Sequence, residues 1–275
     1  MALSISRRLV YPLACGVVFL LVSSLALHGQ DDPLSDPSSS AASPLESSSS
    51  SAAGRDVSMN LLPGNFLRDQ ENIWFSPREL AKGRYWSPTV TVAAATLALL
   101  SSDPYVVPYF NHTTAFRGFD RVFGSKVTGA ETIAIPAALY VVGLDRHDSY
   151  MEKTALFAGE AVADSEVLRV VLNSVTARWR PSDVFRRRSY ADTFFRNKID
   201  VGSSFPSGHM IAAISVATVV ARRYRDHRWV PWAAYGLAGT IGFSRISLRA
   251  HFPSDVFLGA VLGYAIARYD VLQGH

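Results

Sequence analysis

The sequence predicts an all-α fold, a helical bundle of about six core helices. Its apolar segments are dominated by alanine, leucine and valine, and none shows the sustained alternation of a half-buried strand. Prolines stand near the ends of several segments, where they favour helix starts and stops. The six segments are Val90–Leu100, Val127–Leu144, Thr154–Val175, His209–Arg222, Val230–Phe243 and Asp255–Tyr269.

The first 29 residues have the features of a secretory signal peptide. Two arginines precede an apolar run, Leu13–Leu27, and small residues near its end offer cleavage sites. An uncleaved membrane anchor is the alternative. Cys15, the only cysteine of the chain, lies in this segment, so neither an intrachain disulfide nor a cysteine-based zinc site is expected.

A serine-rich tract follows the signal peptide, and we interpret residues 30–60 as a disordered linker. Its low hydrophobicity gives too little burial to offset the entropy of the chain. The remaining residues, 61–275, are predicted to form one folded domain.

The formal charge of +4 is scattered along the chain, which does not indicate nucleic acid as a partner. Mild basicity is compatible with anionic substrates or membranes. The apolar segments are mostly about 11 to 18 residues long, whereas a spanning helix needs about 20. We therefore expect an exported protein, periplasmic or membrane-associated, with an integral membrane protein as the alternative.

The stretch Pro206-Ser207-Gly208-His209 has the composition of an anion site at a helix start. Ser207 is a favourable N-cap, and the first-turn amides beyond it have no intrahelical acceptors. Such amides and the helix dipole attract phosphate, and Gly208 lets an anion approach the backbone. An ordinary capped helix is the competing interpretation.

A second stretch places His251 four residues before Asp255. This spacing lets a carboxylate hold one imidazole nitrogen and leave the other free as a nucleophile. Arg245, just upstream, offers a fork of donors for a phosphoryl group. Alternatively, Asp255 is only a favourable first-turn acid.

A third stretch contains Asn173, Arg180 and Pro181. Residues 173 and 180 are seven apart, so on a continuous helix they share one face. On the same geometry Arg178 is expected to point elsewhere.

Together the three stretches resemble the phosphatidic acid phosphatase type 2 / vanadium-dependent haloperoxidase superfamily. That family shows K-x6-R-P, P-S-G-H and S-R-x5-H-x3-D in this order. The second and third motifs match at every specified position, and the likeness covers about residues 85 to 270. In the first motif Asn173 replaces the family lysine.

The resemblance implies a metal-independent phosphatase without a cofactor. By analogy, His251 attacks phosphorus, Asp255 holds its ring, and His209 protonates the leaving oxygen. The phosphoryl oxygens would bind a set of side-chain and main-chain groups: Arg180, Arg245, Ser207, Gly208 and Asn173. The expected substrate is a phosphorylated small molecule or a lipid phosphate.

Two alternatives follow from the same resemblance. One is a haloperoxidase, in which vanadate is a cofactor rather than an inhibitor. The other is a degenerate member that binds a phosphorylated lipid or glycan without turnover. Asn173 favours the latter, because it brings no charge to the site. If the lost charge alone limits activity, Asn173→Lys should raise it.

Overall fold

The computed structural model describes residues 55–78, 82–83, 86–187, 193–195 and 203–272. The predicted signal peptide, residues 1–29, and residues 30–54 of the predicted linker lie outside this part of the chain. The described residues contain helices and connecting segments and no strand, so the prediction of an all-α fold is confirmed.

Each of the six predicted segments lies in a helix. The helices are α1 (Leu62–Phe75), α2 (Trp86–His112), α3 (Arg117–Val122), α4 (Ser125–Arg146), α5 (Ser149–Thr176), α6 (Pro181–Arg187), α7 (Gly208–Arg223), α8 (Val230–Ser247) and α9 (Pro253–Ala265), and a π-helical turn (Ile266–Val271) extends α9.

Three helices are longer than the apolar runs that predicted them. α2, α4 and α5 have 27, 22 and 28 residues, and prolines 104, 108 and 136 lie within α2 and α4 instead of ending them. By length alone, all three helices reach the about 20 residues that a membrane-spanning helix needs. In the described part of the chain, only α2 is both long and apolar enough to cross a bilayer, and 11% of its most apolar window is buried.

α7 is the central helix of the bundle. It packs against α4, α5, α8 and α9, and most of its side chains are buried. Its first turn carries Gly208 and His209, so the central packing also fixes the start of this helix in space.

The crossing of α7 and α9 depends on two glycines. A Cβ atom at Gly259 would lie 2.8 Å from the carbonyl oxygen of Ser207, and one at Gly263 would lie 2.3 Å from that of Ile211. The backbones of α7 and α9 therefore lie in direct contact at this crossing. This contact places Ser207 close to the start of α9.

A buried ionic cluster joins the N-terminal part of the domain to the bundle. Arg55 donates to both carboxylate oxygens of Asp69, at 2.7 and 2.8 Å, and to Glu160 at 2.7 Å. Val57 is buried in the hydrophobic core of the bundle. These contacts begin inside the range 30–60 that the composition predicted as linker.

Candidate active site

Main-chain hydrogen bonds bring the three predicted stretches together. The amide of Ser204 donates to the carbonyl of Arg178 at 2.9 Å, and the amide of Ser207 donates to the carbonyl of Asp255 at 3.1 Å. The amide of Ser182, just after Arg180 and Pro181, donates to the carbonyl of Arg249 at 3.2 Å. Residues far apart in sequence thus line one small region of the bundle.

His251 is buried, and one ring nitrogen is held by the main chain. Its Nδ1 lies 2.7 Å from the carbonyl oxygen of Ser204. A carbonyl can only accept a hydrogen bond, so Nδ1 must be the donor. In the neutral imidazole the proton is then on Nδ1, and Nε2 keeps its lone pair, as a nucleophile requires.

Asp255 does not hold His251 by the direct hydrogen bond that the spacing suggested. Its Oδ2 lies 3.8 Å from Nδ1 of His251 and instead accepts from the amide of Phe252 at 2.8 Å. The first-turn role considered as the alternative is therefore present. At 3.8 Å the carboxylate still favours positive charge on the ring.

Arg178 holds the other oxygen of Asp255 and is itself buried. Its guanidinium contacts Asp255 Oδ1, donates to Ser254 Oγ at 2.8 Å and lies over the ring of Phe252 at 4.0 Å. Its Nη2 also donates to Asp103 Oδ2 at 2.7 Å. Arg178 thus pairs with two buried carboxylates, those of Asp255 and Asp103, the first of which lies beside His251.

Asp103 connects α2 to this network. Its Oδ1 accepts from the amide of Ser254 at 3.2 Å, and its Oδ2 accepts from the hydroxyl of Ser254 at 2.5 Å. These bonds fix the first turn of α9, which carries Asp255.

The start of α7 has the predicted position but not the predicted cap. Ser207 occupies the N-cap position, yet its side chain makes no capping hydrogen bond. Its buried hydroxyl has no partner among the described residues. Because an unpaired buried hydroxyl is costly, a ligand oxygen at this point would be stabilising. His209 follows on the first turn and is half-buried.

Arg245 lies in the last turn of α8 and is fully buried. It donates to the carbonyl of Phe123 at 2.5 Å and, through Nε and Nη2, to Ser244 Oγ at 3.0 and 2.8 Å. The amide of His251 donates to the carbonyl of Arg245 at 3.2 Å. The turn between them, in which Arg249 has a φ of 56°, therefore links this arginine to the histidine.

Asn173 and Arg180 do not share one helical face, because α5 ends at Thr176. Ala177 adopts the left-handed conformation, with a φ of 41°, and the chain then runs without helix to Pro181. Arg178 is buried and Arg180 is exposed. The two arginines do point to different places, as expected, but the residue pointing inward is Arg178.

Two charged residues of the buried network were not assigned to the site from the sequence. Asp103 is an isolated acid in an apolar segment, and such a residue usually faces a polar partner in the interior. No local pattern singles out Arg178, because an extended chain would point residues 178 and 180 to the same side, whereas the structure buries Arg178 and exposes Arg180. Among the described residues, no group of three or more His, Cys, Asp or Glu side chains is arranged to hold a metal ion.

The sequence is similar to those of several known proteins. The sequence profile of the PAP2 superfamily matches residues 154–273, which include all three stretches. The bacitracin transport permease protein BcrC of Bacillus licheniformis is 29% identical over 114 residues, which are 42% of this chain and 52% of that protein. The lipid A 1-phosphatase of Porphyromonas gingivalis is 37% identical over 65 residues, 23% of this chain and 15% of that protein.

The chain thus spans about half of the first relative and a smaller part of the second. A solved structure also resembles it, the crystal structure of a transmembrane PAP2-type phosphatidylglycerolphosphate phosphatase from Bacillus subtilis. The match covers 65% of this chain and 92% of that one, with 20% identity and a TM-score of 0.42.

Proposed function

We propose that the chain, whose residues 154–273 match the sequence profile of the PAP2 superfamily, is a member of that superfamily and a membrane-associated phosphatase acting on lipid phosphates or related phosphomonoesters. The observation that carries this proposal is the orientation of His251. In the neutral ring, Nδ1 of this buried imidazole donates to the carbonyl of Ser204, so Nε2 is the nitrogen available for attack.

In the first step, Nε2 of His251 forms a bond to phosphorus while the bond from phosphorus to the leaving oxygen breaks. His209 gives its proton to that oxygen, so the alcohol leaves neutral. The ring of His251 becomes positively charged on bonding to phosphorus. Asp255, 3.8 Å from Nδ1, stabilises this charge.

In the second step, water attacks the phosphohistidine. His209, now unprotonated, accepts a proton from the water, the bond from nitrogen to phosphorus breaks, and phosphate leaves. Arg180, Arg245, the Ser207 hydroxyl and the first-turn amides of α7 are the proposed donors to the phosphoryl oxygens. Fixed donors of this kind meet the charge that develops in phosphoryl transfer.

A membrane-associated substrate is supported by the outer surface of the bundle. α2 has 27 residues, about 40 Å of helix, against about 30 Å for a bilayer core. Tyr105 and Tyr109 are 81% and 59% exposed on α2, close in sequence to Asp103 of the buried network. Tyrosines are enriched where a membrane meets water, so Tyr105 and Tyr109 suit a position at the membrane interface. A lipid head group at that depth would reach the site. The relative named as a lipid A 1-phosphatase agrees with this substrate class.

The test is phosphate release by the full chain from phosphatidic acid in detergent micelles and from p-nitrophenyl phosphate, both in EDTA. We expect release from both, faster from the lipid, inhibition by orthovanadate, and loss of activity in His251→Ala. Trapping of labelled phosphate on the wild-type protein and not on His251→Ala would identify the nucleophile.

The same preparation distinguishes the alternatives. Halide oxidation that needs vanadate and peroxide would identify a haloperoxidase. Binding of phosphatidic acid without release of phosphate would identify a binding protein. Release that persists in His251→Ala would refute the assigned mechanism.

A further inference from the structure

The position of the family lysine is buried and already has a cation beside it. Asn173 is 4% exposed. Because the carbonyl of Phe205 can only accept and Arg169 can only donate, the Asn173 amide is assigned with its nitrogen 2.5 Å from that carbonyl and its oxygen 2.6 Å from Nη1 of Arg169. Arg169 is four residues earlier on α5, one turn away on the same face. A guanidinium therefore lies within hydrogen-bond distance of the residue that replaced the lysine.

The side chain of Arg169 also lies against the start of α7. A Cβ atom at Gly208 would be 2.4 Å from Cδ and 3.1 Å from Nε of Arg169. The space that Gly208 leaves open is therefore filled by this arginine. Since α7 begins at Gly208, the guanidinium lies at the helix start where an anion is expected.

The surroundings of Arg169 orient it and leave donors for a ligand. Its Nε donates to Glu166 at 2.7 Å, its Nη2 contacts the same carboxylate, and its Nη1 donates to Asn173. A guanidinium has five N–H groups, so two remain beyond these three bonds. The side chain of Arg169 is 15% exposed, which keeps the charge partly shielded from water, whereas Glu166 is 53% exposed.

We propose that Arg169 is the phosphate-binding cation that replaces the family lysine, and that Asn173 positions it. This inference rests on the proposed phosphatase function. Asparagine suits the task because its oxygen accepts from the guanidinium, whereas a lysine at 173 would place a second positive charge beside it. The charge of the first motif has moved by one helical turn rather than been lost.

A cycle of four proteins tests the proposal: wild type, Arg169→Met, Asn173→Lys and the double variant. Arg169→Met removes the cation and should lower kcat/KM about 10- to 1000-fold. Asn173→Lys should lower it at least about tenfold, because like charges then adjoin. This reverses the simpler expectation that a lysine at 173 raises activity. The double variant should recover to within about tenfold of wild type.

Recovery in the double variant separates a charge effect from a packing effect, because lost packing at residue 169 is not restored by a lysine at 173. Arg169→Lys is a second probe that keeps both the stem and the charge, and it should retain more activity than Arg169→Met. Arg146→Met, at an exposed arginine, is the matched control and should leave kcat/KM unchanged. The inference is overturned if Arg169→Met keeps wild-type activity, or if Asn173→Lys alone raises activity.

Orthovanadate binding, measured by calorimetry, distinguishes failure of this inference from failure of the proposed function. If the wild type releases no phosphate but binds orthovanadate at least about tenfold more tightly than Arg169→Met, the proposed function fails and the assignment of Arg169 stands. If the wild type releases phosphate and Arg169→Met changes neither release nor binding, only the assignment fails. A wild type that neither turns over nor binds orthovanadate overturns both.

Discussion

Arg178 and Asp255 form an ion pair that solvent barely reaches, with side-chain exposures of 3% and 0%. The same guanidinium donates to Asp103, so one cation serves two buried carboxylates. Arg180, only two residues later, is exposed. The two arginines of this segment therefore have separable roles, one in holding the site together and one at its surface.

Substitution of these two arginines should separate stability from activity. Arg178→Met leaves two buried carboxylates without their cation and should lower the free energy of unfolding by about 3 to 5 kcal/mol. Arg180→Met should change it by less than about 0.5 kcal/mol yet lower kcat/KM at least about tenfold, because a donor to the phosphate is lost. Urea unfolding and phosphate-release assays measure the two effects. Equal destabilisation by both variants would contradict the assignment.

Asp255→Asn should affect catalysis less than removal of the nucleophile does. The carbonyl of Ser204, not Asp255, accepts the hydrogen bond from Nδ1 of His251, so the productive tautomer survives. What is lost is the negative charge 3.8 Å from the ring. We expect kcat to fall about 10- to 100-fold, with residual activity well above that of His251→Ala. Activity as low as that of His251→Ala would show that Asp255 sets the tautomer after all.

Gly208→Ala should disturb the start of α7. The added methyl group would lie 2.4 Å from Cδ of Arg169, so the arginine must move. We expect a loss of about 1 to 3 kcal/mol in unfolding free energy, together with lower kcat/KM. Gly236→Ala is the matched control, since a Cβ atom there meets nothing within 4 Å and α8 is helical at that point. That change should raise stability, by up to about 1 kcal/mol.

The buried acids near Arg55 predict that stability falls as pH rises. Burial raises the pKa of Glu160 to about 7, against the attraction of Arg55, and that of Asp164 to about 8, against a hydrogen bond from Gln70. Between their ordinary values near 4 and these values, the folded protein keeps protons that the unfolded chain has released. Raising the pH through this window therefore favours unfolding.

The measurement is the Tm of the full chain at pH 5 and pH 8. We expect a lower Tm at pH 8 and a smaller difference in Asp164→Asn, whose side chain stays neutral at both values. An undiminished difference in that variant would show that another group causes the pH dependence.

The helical class could be predicted because local patterns determine it, whereas the expectation that the three stretches meet came from the family resemblance. Apolar runs without alternation specify helices, and the motifs around His209 and His251 identify residues that the fold does bring together. Helix length was less predictable. Pro104 and Pro108 lie within α2, so counting only the apolar run underestimated its span.

The partners of the site residues depend on packing that one sequence does not reveal. The spacing of His251 and Asp255 suggested a direct hydrogen bond, but a main-chain carbonyl 47 residues away takes that place. Likewise, helical geometry predicts that Arg178 points away from the face of Arg180, but the helix ends at Thr176, before either arginine, and Arg178 is buried by partners distant in sequence. Both outcomes arise from long-range contacts that no local pattern encodes.

The arginine at the centre of the buried network bonds to carboxylates 75 residues before it and 77 residues after it. No short fragment of the chain contains all three groups. During refolding, helices can form early from local sequence, but this network closes only when α2, the segment after α5 and α9 have met. Regain of enzymatic activity should therefore lag behind regain of helical circular dichroism, and would report the completion of tertiary assembly.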